Sequence, residues 1–290
     1  MPADSHPAGG WLGLAARLPS VLSERARAGM TGLRQRRAES SGAPPRGVAF
    51  TGTVWTGGQA QPRRATVVVD AAGRFVSMGA IAATLPRDLL VLGGPHHWIV
   101  PGIIDAHVHL CVATEENPER RSGVESGFRT GLIGVRDLGA PLEQARSWQT
   151  GRRPPPPQHP FVAVSGPILT APQGYPSRSW GARGFAEFIS SPAQARSAVQ
   201  RLAAEGVDVI KVALERGSQG WPVLQPNVLL AITRAAHALG LAVVAHALTI
   251  DMVKRALDAG VDELAHTPTD RLGEELVQRI ADAGVSVTST

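Results

Sequence analysis

From about residue 99 onward, short apolar runs alternate with stretches of helical period. Predicted strands fall near 99–109, 133–138, 161–165, 207–213, 241–246, 261–266 and 285–290. Between the later ones, apolar positions recur at helical spacing over 227–239, 250–259 and 274–283. Gly240, Gly260 and Gly284 stop these helices, and each leads directly into the next strand. Strand–helix alternation of this kind predicts an α/β protein with a parallel sheet. Upstream the rhythm is different. Thr66-Val67-Val68-Val69 precedes the turn signal Asp70-Ala71-Ala72-Gly73, and an apolar run resumes at Arg74-Phe75-Val76-Ser77-Met78. Three segments follow: an N-terminal extension at 1–47, a small β domain at 48–98, and an α/β domain at 99–290.

The extension carries Trp11, Leu12, Leu14, Leu18, Val21 and Leu22, enough for one short amphipathic helix, and then turns Arg-, Pro-, Gly- and Ser-rich. It has no apolar core followed by a cleavage site, so it reads as disordered or as a start placed too early, with Met30 or Val48 as later starts. The run Pro154-Pro155-Pro156-Pro157 predicts a stiff, extended loop. The segment 166–190, with Tyr175, Trp180 and several glycines, is expected to cover the mouth of a site as a lid or substrate loop.

Composition narrows the function classes. The chain has 290 residues, 43% of them hydrophobic, and no apolar run reaches the ~18 residues of a membrane span. Its net charge is +5, but seven arginines against three acidic residues place +4 of this within 1–47. The remainder is nearly neutral and lacks a footprint for nucleic acid. The single cysteine, Cys111, excludes an internal disulfide and suits the cytoplasm. It reads as a small buried hydrophobe and not as a ligand.

Against this background five residues stand out. His107 and His109 are two apart on one strand, so both side chains leave from one face. His246 and His266 each lie six residues after a helix-stopping glycine, which predicts equivalent heights on neighbouring strands. Lys211 lies between Ile210 and Val212, where a protonated amine is expensive to bury. Only Lys211 and Lys254 are lysines in a chain that writes its other cations as Arg. A neutral lysine amine can take up carbon dioxide to form a carbamate, which turns a cation into a bridging ligand. Two divalent ions, with zinc suited to the donor set, would then serve hydrolysis by metal-activated hydroxide. His6, His96, His97, His159 and His237 are read as non-ligands.

At these residues the chain resembles the metal-dependent amidohydrolase superfamily. Pro101-Gly102-Ile103-Ile104-Asp105-Ala106-His107-Val108-His109 looks like that family's first-strand signature, and Gly134-Val135-Arg136-Asp137-Leu138-Gly139 resembles its second-strand segment. Val209-Ile210-Lys211-Val212, with His246 and His266, is similar to the branch of imidazolonepropionase-like proteins and carboxylated-lysine, prolidase-like dipeptidases. The resemblance covers about 48–290. It implies a TIM-like (β/α)8 barrel with a small N-terminal β domain, and cleavage of C–N bonds in a small-molecule amide or peptide. It also implies roles: His107 and His109 on one metal, His246 and His266 on the other, and carboxylated Lys211 between them. Imidazolonepropionase is mononuclear and lacks the bridging lysine, so Lys211 argues against that activity.

Two departures matter. Where many relatives carry Gly-Gly-His, this chain has Gln173-Gly174-Tyr175. The family's strand-8 aspartate would lie beyond Thr290, so strands 1–7 alone are expected and no catalytic residue is assigned. Open strand edges predict an unstable product, weakly active or inactive, with edges that could pair into a homo-oligomer. The alternatives are therefore a catalytically impaired amidohydrolase remnant that acts as a non-catalytic or oligomerising protein, and a mononuclear deaminase or hydrolase with unmodified Lys211.

Overall fold

The computed structural model describes residues 46–80, 85–112, 127, 131–150, 160–182 and 184–290. Expectations for residues 1–45, for the prolines at 154–157, and for His6 and His159 lie outside the described residues. The chain divides into two compact units.

The first unit contains four strands: β1 (Gly47–Val54), β2 (Arg63–Asp70), β3 (Phe75–Gly79) and β4 (Leu89–Ile99). They form one sheet in the order β3-β2-β1-β4. β2 runs antiparallel to β1 and β3, whereas β4 runs parallel to β1. β-branched and small side chains from alternate positions make its core: Val54, Ala65, Val67 and Val69, with Phe50 and Ile99 against them. The expected turn is present. Asp70 Oδ1 accepts from the backbone N–H of Ala72 and of Arg74, and Gly73 supplies a φ of +79°.

The second unit contains most of β5 (Ile103–Val108) and β6 (Leu132–Asp137), and all of β7 (Phe161–Val164); these three form a sheet in chain order. A second sheet has the order β13-β12-β11-β10-β8-β9. Its strands are β8 (Ile168–Thr170), β9 (Ala186–Phe188), β10 (Ile210–Ala213), β11 (Val243–His246), β12 (Glu263–Leu264) and β13 (Ser286–Val287). Every pairing within it is parallel. The fold is thus mixed α/β with parallel sheets, as the sequence rhythm predicts.

Five helices are described: α1 (Leu142–Trp148), α2 (Pro192–Ala204), α3 (Pro226–Ala238), α4 (Ile250–Asp258) and α5 (Glu274–Asp282). The last three share one ending. Gly240, Gly260 and Gly284 take φ of +71°, +74° and +65°. The next backbone N–H reaches back five residues, Leu241 to Ala236, Val261 to Ala256 and Val285 to Ile280. This is the left-handed helix stop that only glycine adopts cheaply.

One face of the six-stranded sheet packs on the helices. Ile210, Val212, Val243, Ala245 and Leu264 meet Val199, Leu202, Leu229, Ile232, Val253 and Ala256. The other face follows by alternation: Val209, Val244 and Ala265 cluster with Leu138, and Lys211, His246 and Glu263 share that side. Among the described residues no helix is long and apolar enough to cross a membrane.

The structure refines several sequence readings. The first long strand expected at 99–109 is interrupted at 100–102, so Ile99 ends β4 and His107 lies on β5. The segment 166–190 is not a bare loop, since it contains β8 and β9. Three-residue strands leave too few apolar alternations to be seen in sequence.

Candidate metal centre

His107 lies near the end of β5, and His109 just beyond it. Lys211 is on β10, His246 closes β11, and His266 follows β12 by two residues. All five side chains line one cavity of about 300 Å³, together with Ile168, Tyr175, Trp180, Ala213 and Thr290. The ring centroids of His107 and His266 are 4.5 Å apart, and those of His246 and His266 are 4.6 Å apart. The structure therefore brings the five sequence-predicted residues together. Equal heights for His246 and His266 do not hold strictly. The ladder pairs Ala245 with Leu264, so His266 sits one residue further along than His246.

Backbone carbonyls fix two of the imidazoles. His107 Nδ1–H donates to the Ala265 carbonyl at 2.8 Å, and His109 Nδ1–H donates to the Gly139 carbonyl at 3.2 Å. A carbonyl oxygen can only accept, so each neutral ring carries its proton on Nδ1 and its lone pair on Nε2. Those two Nε2 atoms face each other at 3.3 Å. His246 Nε2 lies 3.3 Å from Glu215 Oε2, and His266 Nδ1 is 2.7 Å from the Thr290 hydroxyl. Glu215 is itself anchored, because its other oxygen accepts from the Gly217 backbone N–H at 2.5 Å. The Glu215 contact was not legible in sequence beyond its position after a strand end.

Electrostatics keep the rings uncharged. Burial, then the charge of Lys211, pushes His107 down to about 3 and His109 down to about 4. Burial and the neighbouring His246 push His266 down to about 4, and burial also lowers His246. Lys211 is 2% exposed, and its Nζ has no hydrogen-bond partner among the described residues. Burial pushes this amine down to about 7, reinforced by the Arg136 guanidinium and opposed by Glu263. A buried polar atom without a partner is costly unless a ligand completes it.

The donor set therefore fits divalent metal: neutral imidazoles with oriented lone pairs, beside a buried amine able to become an anion. Two imidazole nitrogens on one tetrahedral zinc, each at ~2.05 Å, stand about 3.3 Å apart. As the rings are placed, no three His, Cys, Asp or Glu side chains among the described residues are close enough to enclose an ion. The facing pair His107–His109 comes nearest. Cys111 is half-buried, short of the full burial expected, and burial raises its thiol to about 11. His237 pairs with Asp262 on the surface, and His96 and His97 lie on β4.

Comparison with known proteins gives a consistent answer about the fold. No family model matches the chain. An uncharacterized protein of Mycobacterium tuberculosis is 28% identical over 177 residues, which cover 58% of this chain and 44% of that protein. The chain thus spans less than half the length of that curated relative. A Xaa-Pro dipeptidase crystallised with methionine in its active site matches with a TM-score of 0.68 at 19% identity, over 83% of this chain and 66% of that one. A putative prolidase from Bifidobacterium longum matches with a TM-score of 0.63 at 26% identity, over 82% of this chain and 58% of that one. The A. niger ochratoxinase matches with a TM-score of 0.62 at 20% identity, over 83% and 65% of the two chains. In fold, this chain is similar to solved prolidase-like proteins and to a protein described as an amidohydrolase.

Proposed function

We propose that this chain carries the metal centre of a hydrolase that cleaves C–N bonds in amides or peptide-like small molecules, and that its two parallel sheets are parts of a TIM-like barrel. One observation carries the reading: four neutral imidazoles and a buried lysine amine with no partner among the described residues converge on a single cavity. Links between the sheets support the barrel. Asp208, just ahead of β10, donates its N–H to the Val164 carbonyl and accepts from the Val164 N–H through Oδ2.

In this reading His107 and His109 would hold one ion and His246 and His266 the other. The neutral Lys211 amine would add to carbon dioxide, forming an N–C bond as one C=O π bond opens to a carboxylate and one proton passes to solvent, and the carbamate would supply an anionic ligand between the two histidine pairs. Zinc suits this donor set, and the ions would supply Lewis acidity toward the scissile carbonyl and a water of lowered pKa. The remaining work belongs to the protein. The Ala265 and Gly139 carbonyls hold His107 and His109 in one tautomer, and Glu215 accepts from His246. Tyr175 and Trp180 wall the cavity.

The test is metal content by mass spectrometry after preparation with zinc and bicarbonate. About two ions per chain are expected, falling below one in Lys211→Ala. Protein that binds no metal under these conditions overturns the reading. A second reading, a mononuclear hydrolase or deaminase, draws on the facing nitrogens of His107 and His109. One ion per chain, unaffected by Lys211→Ala, would establish it.

A further inference from the structure

Tyr175 is held more firmly than a wall residue requires. Its ring stacks on Trp221 with centroids 4.9 Å apart at 22°, and lies 4.8 Å from the His246 ring. Trp180 meets it edge-on at 6.3 Å and donates its indole N–H to the Tyr175 hydroxyl oxygen at 2.9 Å. Trp180 in turn lies 4.5 Å from His109. The backbone beneath is constrained as well. Gln173 has a φ of +58°, a conformation side chains seldom adopt. A Cβ on Gly174 would come within 2.5 Å of Thr170 Oγ1, 2.7 Å of the Pro222 carbonyl and 2.9 Å of the Ala171 carbonyl. Only glycine fits there, and the strained turn delivers Tyr175 to the cavity.

The hydrogen-bond count then gives the phenol a direction. An indole N–H only donates, so the Tyr175 oxygen is the acceptor in that bond. The phenolic proton remains, without an acceptor among the described residues. An aromatic box with one oriented donor suits an uncharged carbonyl better than an ionised group. We propose that Tyr175 is a substrate-binding residue whose hydroxyl donates to the carbonyl oxygen of a neutral acyl substrate, with Trp180 and Trp221 locking the phenol in place. The inference rests on the proposed hydrolase reading only for the nature of the bond broken.

Tyr175 is the only tyrosine in the chain, so tyrosine labelled with ¹³C at Cζ gives a single resonance. The probe is acetanilide, a neutral amide, titrated into metal-free and zinc-loaded protein. The resonance is expected to move at saturation. Tyr175→Phe is expected to bind acetanilide ~10-fold more weakly by calorimetry, the effect of one hydrogen bond, with zinc content unchanged. An unmoved resonance, equal affinity in the variant, or no binding by the wild type would each overturn the proposal. Failure to bind zinc instead sinks the hydrolase reading, and the metal-free titration still decides the role of Tyr175.

Discussion

The Nε2 atoms of His107 and His109 lie 3.3 Å apart, while each ring gives its Nδ1 proton to a backbone carbonyl. Two lone pairs facing at this distance repel unless a cation sits between them. A ligand that binds only the folded state raises stability by RT ln(1 + [L]/Kd), about 2.7 kcal/mol at a hundredfold excess over Kd. Zinc is therefore expected to raise the melting temperature of the wild type and to raise that of His107→Ala by clearly less. Equal zinc-induced shifts in both, read by differential scanning fluorimetry, would remove these two rings from the site.

Lys211 gives a prediction of opposite sign in the metal-free protein. Its Nζ is buried without a partner among the described residues, so the native state bears a desolvation cost and gains no hydrogen bond there. Lys211→Met removes the polar atom and shortens the side chain by that one atom. In metal-free buffer without bicarbonate the variant is expected to be more stable by ~1–3 kcal/mol while losing bridged metal binding. A destabilised Lys211→Met in urea unfolding would mean that the amine has a partner in solution.

Much of this was legible in the chain because it depends on local rules. The repeated glycine stop follows from one backbone conformation, and it placed the ends of α3, α4 and α5 within a residue. His-x-His and the apolar flanks of Lys211 announced themselves through strand alternation. What was missed depends on tertiary contact. β8 and β9 are three residues each, stabilised by pairing and not by pattern. α2 did carry a signal that went unread: Ser191 caps it by accepting from the Gln194 N–H, and the Gln194 side chain accepts from the Ser190 N–H. The contacts of Glu215 with His246, and of Trp180 with Tyr175, join residues whose approach no spacing reveals.

Below Lys211, Arg136 and Glu263 form a forked ion pair, with Arg136 Nη1 donating to Glu263 Oε2 at 2.8 Å and Nε to the Ala106 carbonyl at 2.8 Å. Their side chains are 4% and 12% exposed. Removing one partner of a buried pair leaves the other uncompensated, at a cost of ~3–5 kcal/mol. Glu263→Gln is expected to destabilise by about that much, and Arg136→Met with Glu263→Leu to recover most of it. A cost below ~1 kcal/mol for the single change would show that water reaches the pair.

Asp137 sets the expected pH dependence. Its Oδ1 accepts from the Gly139 N–H and its Oδ2 from the Leu110 N–H, both at 2.9 Å, which favours the charged form. Burial outweighs this and pushes the carboxyl from 3.8 up to about 6. The folded state then holds a proton that the unfolded chain has released, so this group's contribution to stability is full below pH 3.8 and is lost as pH rises to about 6. A shift of this size corresponds to at most about 3 kcal/mol. Asp137→Asn cannot titrate and keeps only one of the two backbone donors satisfied. The stability difference between wild type and Asp137→Asn should therefore shrink steadily across that interval in urea unfolding series. A difference that stays flat, or widens with pH, would place the Asp137 carboxylate in a charged state throughout and assign the two N–H donors the greater weight.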